Sequence, residues 1–193
     1  MALEGLQVTG WAKAAWQGQG FGVHTRMLSP EDRARDFPAL ADMAYLNTAA
    51  ESIPPLCVHE AITQYGRDKN DGMRGRQAHF AVLEECREVA ARMVGLSAEE
   101  VSFCSCSSEA YNLLAGALNL EAEDEVVITD LDFPAGVTPW LNAAATPVVR
   151  LWESREGTLL AEDLKQLLNE RTRLVQVSLV SFYNGYRLDW APF

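Results

Sequence analysis

The sequence predicts an α/β fold, a three-layer α/β/α arrangement around a mostly parallel sheet. Three observations carry this. From about residue 96 onward, strand-like and helix-like runs alternate along the chain. The strand-like runs are near-continuous in apolar residues instead of alternating in and out, the mark of strands buried on both faces. With 193 residues, 48% of them hydrophobic and 22% charged, the chain is long and apolar enough to bury one sizeable core. Buried strands alternating with helices place helices on both faces of a parallel sheet, through right-handed crossovers.

The elements follow in order. Residues 1–28 are expected to be a loose extension: Trp11 and Trp16 are apolar, but Gln17-Gly18-Gln19-Gly20-Phe21-Gly22 breaks any period. Ser29-Pro30-Glu31-Asp32 is a helix start, with a capping hydroxyl, proline at the first helical position and acids behind it. Tyr45-Leu46-Asn47-Thr48-Ala49-Ala50 reads as a short extended piece ending in a polar turn. Pro54-Pro55 opens a helix running to Gln64 or beyond, and the polar, glycine-rich stretch 66–75 is expected to be a loop. Phe80, Leu83, Cys86, Ala90, Met93 and Val94 recur at helical spacing until Gly95 stops them. Strands are then expected at 101–105, 125–129, 147–152 and 174–180, and helices at 107–119, 134–144 and 161–170. The organisation expected is an extension (1–28), a helical segment (29–95) and an α/β domain (96–193).

The bulk numbers exclude some classes. A net charge of −11 argues against nucleic acid as a partner. The longest apolar runs are too short to cross a bilayer, and the amino terminus lacks the layout of a secretory signal. Cys57, Cys86, Cys104 and Cys106 match neither a disulfide framework nor a zinc site. Reduced thiols in a cytoplasmic protein are expected, with Cys104 and Cys106 packing as small apolar groups.

Three turns at strand carboxyl ends could carry chemistry. Ligands of open α/β sheets bind beyond those ends. In Cys104-Ser105-Cys106-Ser107-Ser108-Glu109-Ala110, a small-residue turn opens a helix, so unpaired N–H groups and the positive dipole end meet where an anion would sit. The plain alternative is a helix cap. In Asp132-Phe133-Pro134-Ala135-Gly136-Val137-Thr138-Pro139-Trp140, Phe133 could stack on a flat heteroaromatic ring; the alternative is a core phenylalanine under a loop. In Ser178-Leu179-Val180-Ser181-Phe182-Tyr183-Asn184-Gly185-Tyr186-Arg187, the residues Ser181, Tyr183 and Asn184 could offer hydrogen bonds to a ring hydroxyl or a substrate. The alternative there is a polar exit turn with Gly185 supplying a positive φ.

In this order and at these spacings, the three turns together with Tyr45-Leu46-Asn47-Thr48-Ala49 resemble the class V aminotransferases among the fold-type-I pyridoxal phosphate enzymes, a group that includes the cysteine desulfurases and isopenicillin N epimerase-like proteins. The resemblance runs from about Arg35 to Phe193. It implies pyridoxal 5'-phosphate as cofactor, a small-molecule amino acid as substrate and a homodimer. It implies that Ser107 and Ser108 hold the phosphate, that Phe133 stacks on the ring, that Ser181 and Asn184 stand near the ring oxygen, and that Asn47, Thr48 and Ala49 form a substrate-side turn. Two departures stand out: Cys106 occupies a place where glycine is usual, and Phe182 one where many desulfurases carry asparagine.

The family's chemistry also rests on a lysine that bonds covalently to the cofactor aldehyde and an aspartate beside the pyridine nitrogen. Neither Lys13, Lys69 nor Lys165 matches that lysine, and Asp189 does not match that aspartate. In the family both lie beyond the strand-exit segment. The chain is therefore expected to represent the amino-terminal part of such an enzyme, inactive alone, with a first strand at 101–105 lacking its proper neighbour. The competing expectation is a binding or interaction module that keeps the fold without the chemistry. A hydrolase fits poorly: there is no G-x-S-x-G elbow, and His24, His59 and His79 lie outside the strand-exit turns.

Overall fold

Pro30–Asp36 (α1) is helical because Ser29 Oγ accepts the Asp32 N–H at 3.0 Å and Pro30 presets the first turn. The structure, a computed structural model, describes residues 28–141 and 147–189. The expected extension, except for Leu28, lies outside the described residues. The chain folds as two units, Met1–Ser102 and Phe103–Phe193.

In the first unit, Arg33 fastens the segment after α1 by donating to the carbonyls of Leu40 and Met43, at 2.8 and 2.9 Å. Two long helices follow, Leu56–Asn70 (α2) and Met73–Val94 (α3). The expected loop over 66–75 is thus mostly helix, broken only at Asp71 and Gly72. The glycines there serve a helix hairpin. Gly72, at φ +58°, makes the turn, and Gly75 lets α3 lie so close to α2 that a Cβ would stand 1.7 Å from the Asp68 carbonyl oxygen. Tyr65 and His79 stack across the hairpin, with ring centroids 4.4 Å apart. Gly95, at φ +71°, closes α3 as the sequence indicates.

The strand expected at 101–105 does not form. The described strands pair among themselves and leave it no ladder. The Val101 carbonyl instead accepts Arg87 Nε at 3.1 Å, and the Ser105 N–H goes to the Glu109 carboxylate at 2.6 Å. Cys104 and Cys106 are accordingly exposed, as are Cys57 and Cys86, so they do not pack as apolar groups.

The second unit contains Ser107–Ala117 (α4), Glu125–Thr129 (β1), Pro134–Leu141 (α5), Val148–Trp152 (β2), Ala161–Leu167 (α6) and Thr172–Val175 (β3). The strands form a parallel sheet in the order β2-β1-β3. Successive side chains of β1 point to opposite faces. Val126 and Ile128 pack with Trp140 of α5 and Ala115 of α4 on one face; Val127 packs with Trp152, Leu159 and Leu164 of α6 on the other. This is the three-layer α/β/α arrangement with a parallel sheet. Each fully buried valine or isoleucine of β1 contributes about 1.5–3 kcal/mol.

Burial on both faces holds for β1 alone. As an edge strand, β2 leaves Val148, Arg150 and Leu151 exposed. The run expected at 174–180 leaves the ladder early. Gln176 N–H still donates to the Val127 carbonyl at 2.8 Å, but Val180 then forms an antiparallel bridge with Arg187. Residues 142–144, expected to finish α5, lie outside the described residues.

Candidate functional site

The carboxyl ends of β1 and β3 meet around Asp132. Past β1 the chain buries Leu131 and Asp132, exposes Phe133 and enters α5 at Pro134. Asp132 Oδ1 accepts the Phe133 N–H at 3.0 Å and the Ser178 hydroxyl at 2.5 Å. Its Oδ2 accepts Gln176 Nε2 at 3.2 Å. The same Gln176 amide nitrogen donates to the Tyr111 hydroxyl at 3.1 Å. One network therefore joins the β1 exit, the β3 exit and α4. Gly136 at the start of α5 leaves room for it: a Cβ there would lie 2.9 Å from Gln176 Nε2 and 3.5 Å from Asp132 Oδ1.

The Phe133 ring is 53% exposed and packs roughly perpendicular to Phe182, with ring centroids 4.9 Å apart and an interplanar angle of 84°. Its exposure leaves part of the ring open to a flat partner. Phe182 belongs to the exit turn after β3. In that turn the Ser181 hydroxyl donates to the Leu131 carbonyl at 2.9 Å and accepts the Tyr183 N–H at 3.1 Å. Asn184 donates to the Gly157 carbonyl at 2.8 Å and accepts the Tyr186 N–H at 3.0 Å, while Gly185 supplies a φ of +73°. The polar atoms of Ser181 and Asn184 thus build the turn that carries Phe182.

Ser107 and Ser108 are exposed at the first turn of α4, one turn before Tyr111. The helix start favours negative charge. The Glu109 N–H, with the Ser105 hydroxyl behind it, holds the Cys106 thiol below its ordinary pKa, against the opposing charge of the Glu109 carboxylate. The Ser105 side chain and N–H likewise hold Glu109 below the usual carboxylate range. The donors at this turn suit a phosphate, and Phe133 suits a pyridine ring.

The structure thus brings Phe133 and the turn of Ser181 and Asn184 together directly, and ties α4, which begins with Ser107 and Ser108, to them through Tyr111. Asn47, Thr48 and Ala49 lie in the first unit, exposed in a turn where the Asn47 carbonyl accepts the N–H groups of Ala50 and Glu51 at 3.2 and 3.1 Å. Sequence reasoning missed Tyr111, Gln176 and the binding of Asp132 to Ser178. A signal for the last existed: Gln176 and Ser178, two residues apart at a strand end, put polar groups on one face.

Comparison with known proteins gives a consistent picture. The family model described as "Aminotransferase class-V" matches residues 44–191. A "Probable cysteine desulfurase" of Methanothermobacter thermautotrophicus is 34% identical over 159 residues, covering 78% of this chain and 40% of that protein. A "Cysteine desulfurase" of Pectobacterium carotovorum is 33% identical over 174 residues, covering 80% of this chain and 43% of that protein. Among solved structures, a C-DES mutant K223A with glycine covalently linked to its PLP cofactor superposes at a TM-score of 0.75 and 23% identity, over 83% of this chain and 44% of that one. The cysteine desulfurase CsdA of Escherichia coli superposes at a TM-score of 0.68, also at 23% identity, over 86% of this chain and 45% of that one. The chain spans about two-fifths of the length of the curated relatives it matches.

Proposed function

The chain belongs to the class-V aminotransferase family, and from that premise we propose that its second unit binds pyridoxal 5'-phosphate at the rim formed by α4, the β1 exit and the β3 exit, in the service of chemistry on an amino acid. One observation carries the reading. The exposed ring of Phe133 stands on a backbone that the Asp132–Gln176–Tyr111 network joins to α4, the helix whose amino end favours anions. The cofactor named for a solved neighbour supports it, as do the desulfurase names of the relatives.

In this reading Ser107 and Ser108 hold the phosphate with their N–H groups and the Ser108 hydroxyl, and Phe133 stacks on the pyridine ring. Ser181 and Asn184, through the turn they build, place Phe182 roughly perpendicular to the Phe133 ring. When bound, pyridoxal phosphate supplies an electron sink for negative charge developing beside the α-carbon of an amino acid. The exposed Asn47–Ala49 turn is the proposed point of amino-acid recognition. A homodimer and a cytoplasmic location belong to the same proposal; no helix among the described residues is long and apolar enough to cross a membrane.

Magnitudes bound the affinity. A helix amino end stabilises an anion by about 0.3–1 kcal/mol, and up to ~2 when partly buried. A stacked ring adds about 0.5–1.5 kcal/mol beyond its buried area. With a few hydrogen bonds the sum corresponds to millimolar to micromolar dissociation constants, about 4–8 kcal/mol.

The test is equilibrium dialysis of pyridoxal phosphate against the purified chain, with inorganic phosphate measured in parallel. Ser108→Ala weakens both ligands, whereas Phe133→Ala weakens pyridoxal phosphate alone, by about two- to tenfold. Pyridoxal phosphate bound no tighter than inorganic phosphate would refute the reading.

A second reading is favoured by the lysines. Of the two described, Lys69 lies near the end of α2 in the first unit, and Lys165 is exposed on α6, on the side of the sheet away from α4 and α5. The chain would then hold the ligand without bonding to it. Borohydride treatment in the presence of pyridoxal phosphate, followed by mass spectrometry, separates the two: a lysine adduct excludes the second reading.

A further inference from the structure

We infer that Asp132 and Gln176 are a positioning pair that sets the Phe133 ring for stacking; the inference rests on the reading of this rim as a pyridoxal phosphate site. With Phe133 53% exposed, its own packing does not fix its place beyond the perpendicular contact with Phe182. What holds the residue is its N–H, bound to Asp132 Oδ1 at 3.0 Å. Asp132, only 8% exposed, is in turn held from β3 by Ser178 and Gln176.

Gln176 is equally buried, at 8% exposed, and its single amide nitrogen serves both Asp132 and Tyr111. A buried carboxylate is costly unless several donors satisfy it. Here three neutral donors do so: a backbone N–H, a hydroxyl and a carboxamide. An apolar pair would fill the same volume without that cost but would leave the Phe133 N–H unbound. The absence of a Cβ at Gly136 brings the backbone of α5 against the same two side chains. The polar pair thus specifies the direction of the backbone at Phe133, and with it where the ring stands.

Donor and acceptor chemistry supplies the test. Asp132→Asn sets an amide donor against Gln176 Nε2, which Gln176 relieves by turning its own carboxamide so that the oxygen faces Asn and the Tyr111 hydroxyl donates to it. Gln176→Glu sets two carboxylates together. The double variant Asp132→Asn/Gln176→Glu restores one donor facing one acceptor, leaves an oxygen for the Phe133 N–H, and lets Tyr111 donate. The full chain is labelled with ring-¹³C phenylalanine, and two quantities are read: the Phe133–Phe182 ring cross-peaks, and the dissociation constants for pyridoxal phosphate and for inorganic phosphate.

Gln176→Glu is expected to lose the native ring cross-peaks and to bind pyridoxal phosphate about tenfold more weakly, the worth of one hydrogen bond, with inorganic phosphate unchanged; Asp132→Asn loses less, since Gln176 can turn its carboxamide to match it. The double variant recovers both quantities to within about threefold. A Gln176→Glu variant that keeps the ring contact and the affinity overturns the inference. So does a double variant as poor as Gln176→Glu, or an equal loss of both ligands, which would mark a merely structural pair. If Gln176→Glu does not fold, Gln176→Met, which removes the amide donor at similar length, carries the same expectations. Should the unsubstituted chain prefer neither ligand while its ring contact still follows the variants as described, the cofactor reading falls and the positioning stands.

Discussion

Arg171 donates from Nε and Nη2 to one oxygen of Glu125, at 3.0 and 2.6 Å, so the residue just before β3 grips the buried first residue of β1. Arg150 of β2 adds two bonds of 3.1 Å, and Asn169 adds one of 2.8 Å. A single carboxylate therefore ties the first residue of β1 to the residues entering β3 and to the middle of β2, away from the rim where Phe133 stands.

That arrangement makes stability depend on pH in a definite direction. Hydrogen bonds from Arg150 first, and then from Asn169, hold the Glu125 carboxyl at about 2, down from 4.5. The folded state thus binds its proton less readily than the unfolded chain. The contribution is complete above about pH 4.5 and is lost as the pH falls toward 2. Thermal melts should show Tm falling across that window. Glu125→Gln should flatten the dependence, and Glu125→Ala, which leaves the partners without their acceptor, should lower Tm at pH 7 by roughly 10 °C or more. A variant that keeps the acid-side slope of the parent would show that Glu125 is not its source.

The helix hairpin gives a second prediction, built on two glycines with opposite roles. A Cβ at Gly75 would stand 1.7 Å from the Asp68 carbonyl oxygen, a backbone atom that cannot swing aside. Gly75→Ala should therefore push α3 off α2 and cost about 1–3 kcal/mol or more. Gly66 has open space around the position of its missing Cβ and lies within α2. Gly66→Ala should stabilise by about 0.5–1 kcal/mol. Denaturant titration followed by circular dichroism reads both signs, and equal effects would refute the close approach.

These glycines also show where the sequence stopped being legible. Glycine-rich stretches usually mark loops, and only tertiary contact reveals Gly75 as a site of close helix approach. β1 was legible because its four consecutive apolar or β-branched residues, Val126 to Thr129, need burial on both faces. The strand expected at 101–105 has a similar composition, but a strand exists only with a partner, and composition does not name one. The rim divides in the same way. Phe133, Ser107 and Ser108 could be proposed from sequence because their residue types suit a ring and a phosphate. Gln176 and Tyr111 could not, since their bond spans a sequence separation of 65 residues. Ser181 and Asn184 were visible as polar residues, but a sequence does not say whether a hydroxyl or amide faces outward or, as here, binds its own turn.

The last prediction concerns Cys106, which is exposed at the start of α4. The Glu109 N–H holds its thiol below the ordinary value, so more of it is thiolate near neutral pH than in a free cysteine. Alkylation by iodoacetamide, followed across pH by mass spectrometry, should therefore titrate below free cysteine. The Ser108 N–H, which also favours the thiolate, is one of those that would hold a phosphate, so the two anions compete for one helix end. Inorganic phosphate at millimolar concentration should slow the alkylation. Cys106→Ser, which removes the competing thiolate, should tighten phosphate binding, whereas Ser108→Ala weakens it. If Cys106 reacts like free cysteine and phosphate leaves its rate unchanged, the start of α4 is a cap and not an anion site.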